Sequence, residues 1–175
     1  MPLLSNEEGT VLADLERTLV VLKPDALARG LVGRILQRFE DAGLKVVAMK
    51  MALMDEDLTR KHYFDLEERF GTAVYEANAK AMQRGPVIAL ILEGVEAVGN
   101  VRRLVGGTYP NEVPPGTIRG DFAHQSKEYC VEHDKAVSNL VHASGNVGEA
   151  KSEIDLWFEA GERYDYHLPA ETFTF

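Results

Sequence analysis

The stretch Gly85–Gly94, GPVIALILEG, is bounded by glycines and almost continuously apolar between them, and it reads as a central strand. Upstream, RTLVVLK, Arg17 to Lys23, is rich in valine and leucine and is stopped by Pro24, which marks a second buried strand. Between the two, GLVGRILQRFEDAG places Leu31, Ile35 and Phe39 four apart, with Val32 and Leu36 beside them and Gly43 closing the segment. That spacing predicts an amphipathic helix with a glycine C-cap. LKVVAMKMALM, Leu44 to Met54, reads as a further strand. Asp55, Glu56 and Asp57 then give an acidic helix start suited to the positive end of the macrodipole, followed by a helical pair over about 55–66 and 68–84.

Downstream of the central strand, VEAVGNVRRLVG has the length and spacing of a helix. GGTYPNEVPPGTIRGDF carries four glycines and three prolines and is expected to be a long ordered loop with functional residues among its turns. AHQSKEYCVEHDKAVS reads as an exposed polar excursion, and NLVHAS as a short strand. Asn146 opens a last helix, with Glu149 three residues on and Val147, Ala150, Ile154, Trp157 and Phe158 as its apolar face. Residues 1–16 show no strong periodicity and read as a short N-terminal arm ahead of a single domain, 17–175. Strands alternating with helices suggest an α+β layer sandwich, and the pattern taken by itself suggests a doubly wound sheet.

The chain has 175 residues, 45% of them hydrophobic, which suits one domain with an ordinary core. It has no long apolar span and no signal-peptide pattern, so a cytoplasmic location without a membrane partner is expected. A single cysteine, Cys130, excludes an internal disulfide and fits a reducing compartment. A formal net charge of -9 argues against nucleic acid as a partner, since that grip depends on cations replacing counterions along phosphates. Small phosphorylated ligands stay open, because a few cations in one pocket outweigh the average surface charge.

P-loop, dinucleotide and HExxH motifs are absent, and the five histidines show no pair at a metal-binding helical spacing, so no protein-held metal is expected. His142, followed by the small residues Ala143 and Ser144, fits either a nucleophile or a structural histidine at a strand end, the latter being the commoner. Glu153, on the next helix, fits a carboxylate that holds the imidazole or an ordinary solvated glutamate. Lys23, Arg102, Arg103 and Arg119 are the candidate phosphate cations. Tyr63, Phe70 and Tyr75 are aromatics suited to covering a base or to core packing.

Read in order, ERTLVVLKPD, HYFDL, GPVIALILEG, RRLVGGTYP, PPGTIRGDF, NLVHAS and EIDLWF make the chain resemble the nucleoside diphosphate kinase family from about Glu16 to about Phe158. The resemblance implies a ferredoxin-like α/β sandwich with a four-stranded antiparallel sheet and surrounding helices. It also implies ping-pong transfer of a terminal phosphate from a nucleoside triphosphate to a diphosphate through a phosphohistidine, maintaining triphosphate pools. Position by position it makes His142 the phosphorylated residue and Lys23, Arg102 and Arg119 phosphate ligands. Arg102 is selected over Arg103 by its spacing to Thr108, whose hydroxyl would contact phosphate. Asn139 falls at the ribose, Tyr63 near the nucleophile, and Ser144 with Glu153 at the support of the imidazole. Mg²⁺ is implied as arriving with the nucleotide, and the partners are nucleotides and further copies of the chain in a hexamer or tetramer. The chain departs from the family pattern at Ala26, Ala143 and Gly145-Asn146, in a longer stretch between Phe70 and Met82, where either Phe70 or Tyr75 would stack on the base, and in an insertion near 123–138.

Overall fold

The computed structural model describes residues 15–175. The elements in chain order are β1 (Leu15–Leu22), α1 (Pro24–Ala28), α2 (Val32–Glu40), β2 (Lys45–Ala52), α3 (Glu56–His62), α4 (Leu66–Phe70) and α5 (Thr72–Met82). They continue with β3 (Val87–Val95), α6 (Ala97–Val105), α7 (Ile118–Phe122), α8 (Lys127–Glu132), β4 (Val141–Ala143), α9 (Val147–Trp157) and α10 (Glu171–Thr174). β1 begins two residues ahead of the expected Arg17, and residues 1–14 of the expected arm lie outside the described residues.

The four strands form one sheet in the order β2-β3-β1-β4, and every neighbouring pair is antiparallel. This is the α+β, ferredoxin-like arrangement, and it corrects the doubly wound sheet that the alternation of elements suggests by itself. β1 and β2 run in the same direction, as a helical crossover requires, but β3 is inserted between them. Element order along the chain carries no mark of that insertion.

The runs Leu19–Leu22 of β1 and Val87–Leu92 of β3 are apolar without a break because both faces of the sheet are covered there. Val20, Leu22, Leu90 and Leu92 point into a core with Ile35 and Phe39 of α2 and Val101 of α6. Leu19, Val21, Ala89 and Ile91 point the other way, onto Met82 of α5 and Ile154 and Trp157 of α9. The period-two alternation is present, but its two halves feed two hydrophobic layers.

Three sequence expectations change in detail. The helical pair is three helices, because Gly71, at φ +89°, separates α4 from α5. The glycine- and proline-rich segment is not irregular throughout: it holds a 3-10 turn at Pro110–Glu112 and the short helix α7. Thr117 caps α7 by accepting the Gly120 amide at 3.0 Å, and Gly120 has to be glycine, since a Cβ there would stand 2.3 Å from the Pro114 carbonyl oxygen. The polar excursion contains α8, capped by Ser126, whose hydroxyl accepts the Tyr129 amide, and it buries Cys130, which burial keeps a neutral thiol by raising its pKa. Among the described residues no helix is long and apolar enough to cross a membrane.

Candidate active site

β4 brings His142 opposite Val21 of β1, and α9 runs back beside that strand end. Glu153, on the inner face of α9, meets the imidazole: His142 Nε2 lies 2.8 Å from Glu153 Oε1. The other carboxylate oxygen accepts from the fully buried Ser144 hydroxyl at 2.5 Å. An ionised carboxylate only accepts, so Nε2 carries the proton and Nδ1 keeps the free lone pair of the ring. The side chains are 23% and 14% exposed, open enough for a small ligand to reach the histidine and enclosed enough to strengthen the pair.

The imidazole lines a cavity of about 240 Å³ together with Arg102, the Gly106–Gly107 backbone, Thr108, Arg119 and Ala143. Arg102 is exposed on the last turn of α6 and faces the cavity, whereas Arg103 turns away and donates to Asn100. Arg119, on α7, donates to the carbonyls of Gly106, Gly107, Asn139 and Val141 at 2.6–3.2 Å. Those four bonds tie three segments together and leave one of its five N–H groups for a ligand. Burial, reinforced by Arg102, brings the Arg119 pKa down to about 10, with Asp25 acting in the opposite sense.

Lys23 follows β1, and its buried ammonium donates to Asn139 Oδ1 at 2.9 Å and to the Val137 carbonyl at 3.4 Å. Burial pushes its pKa down to about 8, with Asp25 raising it and Arg119 lowering it further. Lys23 borders an adjoining hollow of about 560 Å³ between α1 and the α5–β3 turn rather than the His142 cavity itself. Asn139 links the two sides, since its amide nitrogen donates to the Thr108 carbonyl at 2.9 Å.

Of the two candidate stacking aromatics, Phe70 is 56% exposed at the end of α4 and Tyr75 is 7% exposed. Only Phe70 presents a free face. Tyr63 packs its ring 4.8 Å from that of His62, and burial holds its phenol far above the usual range, so it stays protonated.

Two residues at the site carry no role from sequence reading. His62, within the quoted HYFDL, lies edge-on to His142 with ring centroids 4.4 Å apart, and accepts the Trp157 indole N–H at 3.2 Å. Burial keeps it neutral. Asp25, within KPD, accepts the Leu140 amide. The signal for both was their place inside recognisable motifs, but neither has a spacing that assigns chemistry.

His62, His142 and Glu153 bring possible metal ligands within 4.8 Å of one another. Glu153 is already held by His142 and Ser144, and Trp157 occupies His62 Nδ1. Lys23, whose charge reaches His62, and the arginines of the cavity add a positive field that opposes a bare cation.

The departures after His142 are accommodated locally. A Cβ at Gly145 would lie 2.4 Å from Glu149 Oε2, which instead accepts the Gly145 amide at 3.0 Å. Asn146 caps α9 through the Glu149 amide at 2.9 Å. The pair Gly145 and Glu149 thus secures the turn between β4 and α9 and leaves the His142–Glu153 contact formed.

The family model for nucleoside diphosphate kinase matches residues 16–163. A nucleoside diphosphate kinase of Borreliella burgdorferi is 43% identical over 154 residues, 87% of this chain and 92% of the relative, and one of Pyrococcus furiosus is 42% identical over 160 residues, 91% and 93%. Among solved structures, a transition state mimic of nucleoside-diphosphate kinase from Borrelia burgdorferi with bound vanadate and ADP superposes with a TM-score of 0.89 at 41% identity, covering 91% of this chain and 96% of that one. A halophilic nucleoside diphosphate kinase from Halobacterium salinarum in complex with CDP superposes at 0.80 and 34% identity, covering 91% and 98%.

Proposed function

The chain belongs to the nucleoside diphosphate kinase family and is an enzyme that transfers phosphate between nucleotides; from that premise we propose that the phosphate passes through His142. The observation that carries this is the 2.8 Å contact of His142 Nε2 with Glu153: a carboxylate there accepts Nε2–H and leaves Nδ1 as the lone pair of a ring that lines a cavity edged by arginines.

Nδ1 attacks the terminal phosphorus of a nucleoside triphosphate, the bond to the bridging oxygen breaks, and the diphosphate departs with that electron pair. The ring, phosphorylated on Nδ1 and protonated on Nε2, is cationic, and the Glu153 carboxylate stabilises it. A second nucleoside diphosphate enters, its terminal oxygen attacks the phosphorus, and His142 recovers its lone pair. Such a transfer needs in-line positioning and neutralised equatorial oxygens rather than acid or base chemistry. Arg102, Arg119, Lys23 and Thr108 supply the charge and hydrogen bonds, Asn139 reaches the ribose and Phe70 stacks on the base. Tyr63, a neutral donor beside His62, steadies the nucleophile's surroundings.

The substrate is the magnesium complex of the nucleotide. Among the described residues no carboxylate lines the cavity, so these residues offer no oxygen cage there, and a hard dication would remain with the phosphate oxygens and its waters. Residues 17–175 work as one domain, the insertion near 123–138 included, because the Val137 carbonyl accepts from Lys23. The enzyme acts in the cytoplasm, in keeping with its single free thiol, and assembles as a hexamer or tetramer. β2 supports that assembly: the C-terminal segment covers its first half, where the Val47 carbonyl accepts the Tyr164 amide, but Met49 and Met51 in its second half, and Leu53 just after it, are exposed. Two-substrate kinetics test the mechanism. Parallel double-reciprocal lines are expected, and lines that intersect would mean direct transfer with both nucleotides bound.

A further inference from the structure

Leu140 lies between the proposed ribose contact and the proposed nucleophile, fully buried, with φ +72°. Its neighbours close a three-residue turn around it, the Val141 amide donating to the Asn139 carbonyl at 2.8 Å. This is the uncommon positive-φ form of the γ-turn, and a non-glycine residue in such a conformation costs about 1–3 kcal/mol. It persists only where surrounding groups hold it.

Two groups do. The Lys23 amide donates to the Leu140 carbonyl at 2.8 Å, and the Leu140 amide donates to Asp25 Oδ2 at 3.0 Å. Asp25 is on α1, one residue past Pro24, so the segment that delivers Lys23 also delivers the carboxylate that fixes the turn before His142. The same carboxylate acts electrostatically on Lys23 and Arg119, opposing the burial of each.

We propose that Asp25 is a positioning residue of the phosphate site: it holds Leu140 in its left-handed turn, so placing Asn139 and His142, and its carboxylate sets a negative charge beside the buried Lys23 ammonium. The proposal rests on the reading of His142 as the phosphate carrier. The charged and titratable groups that bear on Lys23 are Asp25 from α1, Arg119 from α7 and the neutral His62 from α3; its direct partners, Asn139 and the Val137 carbonyl, carry no charge. With the Lys23 pKa already near 8, loss of the Asp25 charge lowers it further, by about one pH unit for a neighbouring opposite charge.

Asp25→Asn and Asp25→Ala separate the two roles. Asparagine keeps an oxygen that accepts the Leu140 amide but loses the charge; alanine loses both. At pH 6, where Lys23 is mostly charged in either case, Asp25→Ala should lower kcat by tenfold or more and expose the Leu140 amide to hydrogen exchange. Asp25→Asn should restore both to within about threefold of wild type, a retained hydrogen bond being worth roughly 1 kcal/mol. The alkaline fall of kcat/KM should move down by about one pH unit in both variants. Wild-type kcat and Leu140 protection in Asp25→Ala would overturn the positioning role, and a wild-type alkaline limb in Asp25→Asn would overturn the electrostatic one. If Asp25→Ala does not fold, Asp25→Glu, which keeps the charge but displaces the accepting oxygen, takes its place, and wild-type kcat and Leu140 protection there would overturn the positioning role. Labelling of wild-type His142 from a terminally labelled triphosphate, run in parallel, shows whether a failure belongs to Asp25 or to the reading of His142.

Discussion

Lys23 is the residue whose environment most directly predicts a pH dependence. Its ammonium is buried, with a pKa near 8 against an ordinary 10.5, so the charge proposed to meet phosphate is lost as pH rises through about 8. kcat/KM should therefore fall on the alkaline side with an apparent pKa near that value. Lys23→Arg, which stays charged, should remove the limb while slowing the reaction; a variant that keeps the limb would assign it to another group. Stability runs the other way. Between about 8 and 10.5 the unfolded chain binds more protons at this position, so the contribution of Lys23 to folding rises with pH across that window. Ser144 makes a second test at this scale. Its buried hydroxyl donates to a carboxylate, and Ser144→Ala should cost about 1.5–3 kcal/mol in a denaturant titration and lower kcat, because Glu153 is then free to turn from His142. Unchanged stability together with unchanged kcat would show that Glu153 needs no such support.

Short elements carry the cations, and their ends set the precision of the site. α7 presents Arg119 from a helix of five residues, held by the Thr117 cap and by the close approach of Gly120 to Pro114. Thr117→Val should cost about 1 kcal/mol and loosen Arg119. Gly120→Ala, which forces a backbone shift, should cost about 1–3 kcal/mol and more activity than stability. Melting and steady-state rates on the two variants check both. These elements also mark what was legible in sequence. The strands β1 and β3 and the helix α2 announce themselves because each pattern is local: an apolar run, or Leu31, Ile35 and Phe39 at helical spacing. α7 does not, since Pro114, Pro115, Gly116 and Gly120 signal breaks, and only the three-dimensional contact shows why the glycine lies inside a helix. Neither the insertion of β3 between β1 and β2 nor the strained turn at Leu140 has a local signature, because both arise from pairings over long sequence separations. At the site, the family resemblance gave His142 and Glu153 their roles, while residue patterns alone favoured a structural His142 and a solvated Glu153. The surplus length after Phe70 hid which aromatic was free, and burial of Tyr75 answered it.

At the scale of the whole molecule, a net charge of -9 coexists with a cationic cavity, so nucleotide binding depends on local field rather than average charge. The second half of β2 and the residue after it, with Met49, Met51 and Leu53 exposed, predict self-association through that face, whereas β4 at the other edge is only three residues long. Light scattering should give a homo-oligomer for the wild type and a smaller species for Met51→Lys. A monomeric wild type, or a variant of unchanged mass, would remove β2 from the assembly. The central claim, that phosphate passes through His142, is tested most directly by incubating the enzyme with a triphosphate labelled at its terminal phosphorus. The wild type should acquire an acid-labile, base-stable label that a nucleoside diphosphate discharges as labelled triphosphate, and His142→Ala should acquire none and lose turnover by at least about a thousandfold. Labelling that persists in His142→Ala, or phosphate exchange with no labelled enzyme, would contradict it.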